Sequence, residues 1–121
     1  WMIEIVAGII EDGETPETLV QRETQEEAGL AVHALEPIGA YLMSPGGTSE
    51  TIFCFCARVD TQSAGGLFGL EQEGEDIRAF VVPADEVAEL LESGRVENAA
   101  AVIALQWFLL NRNRLRKQWT N

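Results

Sequence analysis

Between Gly8 and Leu30, Glu14, Glu23, Glu26 and Glu27 gather around a single arginine, Arg22, in the spacing G-x5-E-x7-R-E-x-x-E-E-x-G-L. Thr15-Pro16-Glu17 reads as a helix start, with Thr15 at the N-cap and proline in the first turn, where no N–H is required. Gly29 suits the left-handed residue that closes a helix. The spacing predicts a helix over Pro16 to Ala28. Winding it at about 100° per residue from Leu19 puts Glu23 near ~40°, Glu27 near ~80° and Val20 near ~100°, with Glu26 near ~340° at the edge and Arg22 beside it. Two carboxylates therefore fall between the two best apolar residues. A helix that needed only solubility would turn its acids away from Leu19 and Val20, because an unpaired buried carboxylate is costly. Carboxylate oxygens are the ligands that magnesium, manganese and calcium prefer, and magnesium typically joins one or two of them to the phosphates of a substrate. The helix reads as a bracket for divalent metal; the plainer alternative is a solvated acidic face.

Charge points the same way. The 121 residues carry 20 acidic and 8 basic side chains, a net charge of −12. That balance argues against non-specific nucleic-acid binding, and it would repel a phosphate-bearing substrate unless cations intervened. The length suits one domain, 1–121. No stretch has the eighteen or so apolar residues of a membrane span, and no basic-then-apolar leader opens the chain, so a cytoplasmic enzyme without membrane or nucleic-acid partners is expected.

The segment from Gly8 to Leu30 resembles the Nudix box, G-x5-E-x7-R-E-U-x-E-E-x-G-U, where U is a bulky aliphatic residue. Every fixed position matches; the departure is Thr24 at the first U, close to valine in size but carrying a hydroxyl. The resemblance implies a metal-dependent hydrolase of a nucleoside diphosphate linked to another moiety, built as an α/β Nudix fold with a mixed β-sheet sandwiched between α-helices.

The rest of the chain fits an α/β order. Trp1 to Val6 reads as a strand with nothing before it to pair with, so an upstream N-terminal strand region is expected to be missing. Ala31 to Leu35 and Ile38 to Leu42 are apolar segments broken by Glu36-Pro37, and Ser44 to Ser49 is a loop by its turn residues. Thr51 to Val59 is a strong strand in which Cys54 and Cys56 face the same way as small core residues; a metal or redox pair is the weaker reading. Ala64-Gly65-Gly66 is a break, Ile77 to Val82 a short strand, Asp85 to Glu92 a helix ended near Gly94, and Asn98 to about Arg116 a long helix. Strands alternating with helices argue for a sheet covered on its faces. Arg112, Arg114, Arg116 and Lys117 crowd the end of the last helix, where its dipole favours cations; an anion site is the weaker reading. His33, the only histidine, suits a surface or strand edge.

Ser44-Pro45-Gly46-Gly47-Thr48-Ser49-Glu50 is similar to a loop of the ADP-ribose pyrophosphatase branch of the Nudix family. There Gly46 and Gly47 would let backbone N–H groups approach an oxygen-rich ligand, Ser44 would line the same loop, and Glu50 would accept hydrogen bonds from ribose hydroxyls; locally the segment also reads as an ordinary turn. Glu71-Gln-Glu73-Gly-Glu75-Asp76 resembles the loop that in this branch supplies the general base and a further metal ligand. Carried over, Glu73 is the base and Glu75 the ligand, with Glu75 kept as the alternative base. The resemblance then implies two or three Mg2+ or Mn2+ ions on Glu23, Glu27, Glu75, Glu26 and the Ala7 carbonyl, and cleavage of ADP-ribose to AMP and ribose 5-phosphate. Arg22 orients the ligands by pairing with Glu23 or Glu14. Three other readings stay open: a Nudix hydrolase of another substrate, such as a GDP-sugar, a dinucleoside polyphosphate or a capped nucleotide; a module that binds ADP-ribose without cleaving it; and a fragment that lacks part of its adenine site. A homodimer is expected of the full-length form.

Overall fold

A computed structural model describes residues 1–68 and 76–120, the Ser63 side chain excepted. The order is α1 (Pro16–Ala28), β1 (Ala34–Leu42), β2 (Thr51–Arg58), a 3-10 turn (Thr61–Ser63), β3 (Gly66–Phe68), β4 (Ile77–Ala79), a second 3-10 turn (Ala84–Glu86), α2 (Val87–Glu92) and α3 (Ala99–Trp119). This is the mixed α/β class that the pattern implies. Among the described residues the strands form two two-stranded sheets, β1 with β2 and β3 with β4. The chain divides into two compact units. One comprises residues 6–35 and 57–82, the other residues 1–5, 36–56 and 83–121.

In the first of these units, α1 begins and ends where its capping residues dictate. The Thr15 hydroxyl accepts from the Thr18 N–H at 3.2 Å while the Thr18 hydroxyl accepts from the Thr15 N–H at 3.0 Å, a reciprocal box that satisfies donors a helix start otherwise strands. Pro16 follows in the first turn, and Gly29 closes the helix at φ 67, its N–H bonded to the Gln25 carbonyl. Leu19, Glu23 and Thr24 are the buried residues of α1, so Thr24 takes the apolar position of the motif without distorting the helix. β3 and β4 pair antiparallel, Gly66 opposite Ala79 and Phe68 opposite Ile77. Both strands pack on α1.

The second unit holds most of β1 and β2, with α2 and α3. The Met43 N–H donates to the Glu50 carbonyl, while further along the pair the His33 N–H meets the Arg58 carbonyl, so β1 and β2 run in opposite directions. Its buried apolar residues are Cys54, Val87, Val96, Ala101, Ala104 and Leu115, and α2 packs on α3. Burying a leucine as fully as Leu115 contributes about 1.5–3 kcal/mol. The α3 N-cap is Asn98, whose side-chain oxygen accepts from the Ala101 N–H at 3.0 Å while its amide donates to Glu4 at 3.2 Å.

Four strand readings need correction. Residues 1–10 form no strand; a strand requires a ladder of backbone partners, and this segment has instead isolated bonds at Glu4, Ala7 and Ile9. Glu36-Pro37 does not break the chain, because β1 runs through it; a strand of a two-stranded sheet has a free edge, where a residue without an N–H is tolerated and Pro37 is exposed. Gly66, read as part of a break, starts β3, and β4 ends at Ala79 rather than Val82. The helices match closely, with Asp85 and Glu86 in a 3-10 turn ahead of α2 and α3 continuing to Trp119.

Candidate metal and substrate site

The turn ahead of α1 presents the first acid. Gly13 adopts φ 78, which lets the Glu14 N–H bond the Glu11 carbonyl at 3.0 Å while the Glu11 N–H reaches the Glu14 side chain at 3.2 Å. Arg22, two turns along the chain into α1, meets Glu14 in a fork: Nε to Oε2 at 2.8 Å and Nη2 to Oε1 at 3.0 Å. Its Nη1 donates to Glu23 Oε1 at 2.9 Å and to Glu26 Oε2 at 3.4 Å. Nη2 also donates to the Ile9 carbonyl at 3.4 Å and lies 3.9 Å from Glu11. Arg22 thus pairs with Glu14 and Glu23 together rather than with one of them.

The planar fork of an arginine is what makes this many partners geometrically compatible; a lysine would offer a point charge. The Arg22 guanidinium beside Glu14 holds its carboxyl below the usual glutamate range, helped by the Glu11 backbone N–H. The same contact, opposed by desolvation, raises the Arg22 pKa further above its already high value.

The chain before the helix is drawn onto this face. The Ala7 N–H donates to Glu27 Oε2 at 3.1 Å. Gly8 lies so close to Glu23 that a Cβ on it would overlap the Glu23 carboxylate. Glu23 is 7% exposed, a buried carboxylate on the side of α1 that carries Leu19, as the helical winding requires. The glycine that opens the motif therefore makes room for an acid, and the helix holds that acid in a partly dry setting.

Among the described residues, no set of three acid, cysteine or histidine side chains converges in a coordinating arrangement. Glu14, Glu23 and Glu26 are turned toward Arg22. The donor chemistry nevertheless suits a hard divalent cation: all candidate donors are oxygens, of carboxylates and of one backbone carbonyl, and one guanidinium faces Glu11, Glu14, Glu23 and Glu26.

The Ser44 to Glu50 segment connects β1 to β2. The Ser44 carbonyl accepts from the N–H groups of Gly47 and Thr48 at 3.0 and 2.9 Å, and the Thr48 hydroxyl accepts from the Glu50 N–H at 3.1 Å. Ser44, Gly46, Gly47 and Glu50 are all exposed. The space a Cβ would occupy at Gly46 or Gly47 is open. Glu73 and Glu75, read as base and ligand, lie outside the described residues, as do Gly69, Leu70 and Glu71.

Several residues have settled structural roles. Cys54 is buried and Cys56 half-buried; both are free thiols, and burial pushes each thiol pKa up. His33 is exposed just ahead of β1. Arg112 pairs with Asp85 at 2.7 Å and Arg114 with Glu36 at 2.7 Å, so for these two the helix dipole is not the main partner. No described helix is long and apolar enough to cross a membrane.

The motif reading overlooked Glu11 and the Ile9 carbonyl as Arg22 partners. Glu11 had a signal, an acid beside the turn glycine; Ile9 had none, because a carbonyl has no sequence signature.

The chain is 45% identical over 119 residues to an ADP-ribose pyrophosphatase of Escherichia coli (strain K12), covering 98% of this chain and 57% of that protein. It is 40% identical to an ADP-ribose pyrophosphatase of Haemophilus influenzae over 98% of this chain and 55% of the relative. A GDP-mannose pyrophosphatase of Enterobacter sp. (strain 638) is 32% identical over 91% of this chain and 56% of its own length. The chain thus spans a little over half the length of these curated relatives. The sequence profile of the NUDIX domain matches residues 1–111. With Arg22, Glu23, Glu26 and Glu27 on one helix, Glu14 in the turn ahead of it and Gly8 against Glu23, and with that profile matched over nearly the whole length, the chain belongs to the NUDIX domain family.

Proposed function

We propose that this domain hydrolyses the diphosphate of ADP-ribose to AMP and ribose 5-phosphate, with Glu23, Glu26, Glu27, Glu75 and the Ala7 carbonyl holding two or three Mg2+ or Mn2+ ions. The observation that carries the proposal is the crowding of carboxylates around Arg22, with Glu23 buried against Gly8. The substrate rests on similarity: identity to the ADP-ribose pyrophosphatases is 40–45% over 98% of the chain, against 32% for the GDP-mannose pyrophosphatase of Enterobacter.

When bound, divalent cations supply positive charge to the diphosphate oxygens and lower the pKa of water. The residues divide the remaining work. Arg22 holds Glu14, Glu23 and Glu26 in fixed orientations, the supporting role that sets how well a ligand set is organised. Glu27, through the Ala7 N–H, ties the approach to Gly8 onto the helix. Glu73 takes the proton of the attacking water, with Glu75 as the alternative base. Ser44, Gly46, Gly47 and Glu50 receive the ribose end. The full-length protein works as a cytoplasmic homodimer in this reading.

The test is incubation with ADP-ribose, GDP-mannose and a dinucleoside polyphosphate in magnesium, with an EDTA control, and chromatography of the products. AMP and ribose 5-phosphate from ADP-ribose, abolished by EDTA, is the expected outcome. Preferential cleavage of GDP-mannose would replace the substrate assignment.

A further inference from the structure

Residues 7–9 form no strand, and three consecutive main-chain contacts tie them to α1 instead. The Ala7 N–H donates to Glu27 Oε2 at 3.1 Å. The Gly8 Cα lies against the Glu23 carboxylate, so close that a Cβ there would overlap it. The Ile9 carbonyl accepts from Arg22 Nη2 at 3.4 Å. As the segment ascends from Ala7 to Ile9, its partners descend the helix from Glu27 through Glu23 to Arg22. Residues four apart share a helix face, so the segment runs antiparallel to α1 along the side that carries Glu23 and Glu27.

Side chains take no part in these contacts. Gly8 has none, the Ala7 methyl carries no polar atom, and Ile9 is 86% exposed while its carbonyl faces Arg22. A contact made by main-chain atoms is silent in the choice of residue.

We propose that Ala7 is a positioning residue through its N–H, the 7–9 segment acting as a main-chain collar that fixes the Glu27 carboxylate before a divalent cation arrives. The inference rests on the proposed function, since it takes Glu27 as a metal ligand, and it gives the Ala7 N–H a task distinct from that of the Ala7 carbonyl. A glutamate side chain loses much rotamer freedom when it is ordered, and a backbone N–H bonded to an ionised carboxylate is among the stronger hydrogen bonds. Freedom removed in advance need not be removed by the cation, so a carboxylate held in place binds it more tightly. Arg22 holds Glu23 and Glu26, and the Ala7 N–H holds the third acid of the set.

The test measures Mn2+ binding by electron paramagnetic resonance, without substrate, for the whole chain and for two forms that lack the N–H. One carries lactic acid in place of Ala7, an ester that exchanges the N–H for an oxygen and keeps the Ala7 carbonyl. The other is Ala7→Pro, which serves should the ester form fail to fold. Each is expected to bind Mn2+ about tenfold more weakly than the parent, the scale of losing a group that orients a metal ligand. Ala7→Ser, which keeps the N–H, should bind Mn2+ more tightly than either. With ADP-ribose, the magnesium concentration that gives half-maximal kcat should rise by a similar factor, and excess magnesium should restore most of kcat. A merely structural loss would lower kcat at every magnesium concentration.

The decisive arm repeats the ester in a Glu27→Gln background. There the missing N–H should cost little further Mn2+ affinity, whereas a general disturbance of the fold would add in full. Full additivity, or a folded form without the N–H that binds Mn2+ within about threefold of the parent, overturns the proposal. A parent that binds Mn2+ but cleaves none of the candidate substrates removes the hydrolase reading alone, and the affinity comparison still decides the role of Ala7. A parent that binds no Mn2+ overturns both.

Discussion

Two arginines, one half-buried on α1 and one exposed on α3, do opposite work. Arg114, on α3, is balanced: Nη1 donates to Glu36 at 2.7 Å and to Gln118 at 3.2 Å, Nη2 to Asn111 at 3.0 Å, and the guanidinium lies 5.9 Å from the Trp107 ring centroid. One cation meets one carboxylate and a set of neutral partners. Arg22, on α1, is outnumbered, facing Glu11, Glu14, Glu23 and Glu26. A balanced pair is complete and serves packing. An outnumbered cation organises acids that it cannot neutralise, and the surplus negative charge is what a divalent ion would answer.

The largest break in this comparison is Glu27→Gln. In the proposed function it removes a metal ligand's charge while preserving shape, so kcat on ADP-ribose should fall by several orders of magnitude with the circular dichroism spectrum unchanged. Near-parental turnover would reject the bracket.

Next is Arg22→Ala, which leaves the acids facing one another. The melting temperature should drop, and kcat should fall about 10- to 100-fold, the usual cost of losing a residue that orients ligands. Added magnesium should restore part of the lost melting temperature and do so more for this variant than for the parent. Equal magnesium shifts in the two proteins would argue that Arg22 and metal do not share the same acids.

Arg114→Ala sharpens the contrast from the other side. It strips Glu36 of its cation, and Glu36 Oε2 is already buried without a hydrogen-bond partner among the described residues. Denaturant titration should show a loss of about 1–3 kcal/mol, the cost of leaving a buried polar group unsatisfied. Neither kcat nor the magnesium dependence should change.

The smallest effect is a pH dependence. Glu14 has its folded-state pKa lowered by Arg22, so the pair stabilises the fold fully above the ordinary glutamate value of 4.5 and loses that contribution as pH falls through the lower folded value. Melting temperature against pH should therefore show an acid limb below 4.5 that is shallower in Glu14→Gln. An unchanged limb would mean that other carboxylates dominate acid unfolding.

Local rules were readable in the sequence wherever a few neighbouring residues satisfy one another. Thr15, Pro16 and Gly29 bounded α1 because caps and left-handed closure act within a turn. Burial of Glu23 followed from its angle to Leu19 on the same helix. Pro37 misled, because proline forbids a central strand but not one with a free edge, and which strands pair is not a local property. Trp1 to Val6 misled for the same reason: apolar residues supply strand propensity, but only partners make a ladder.

Spacing and side-chain chemistry along the chain thus determined the family, the carboxylate helix with its ends, and the identity of Arg22 as its organiser, since all of these depend on residues within a few turns of one another. The tertiary structure decided that Gly8 leaves room for the Glu23 carboxylate, that the Phe68 ring covers Gly29, and that Arg114 finds Glu36 across 78 positions of sequence. Contacts of that kind form because the folded backbone brings distant residues within a few ångströms, and no local propensity encodes the distance.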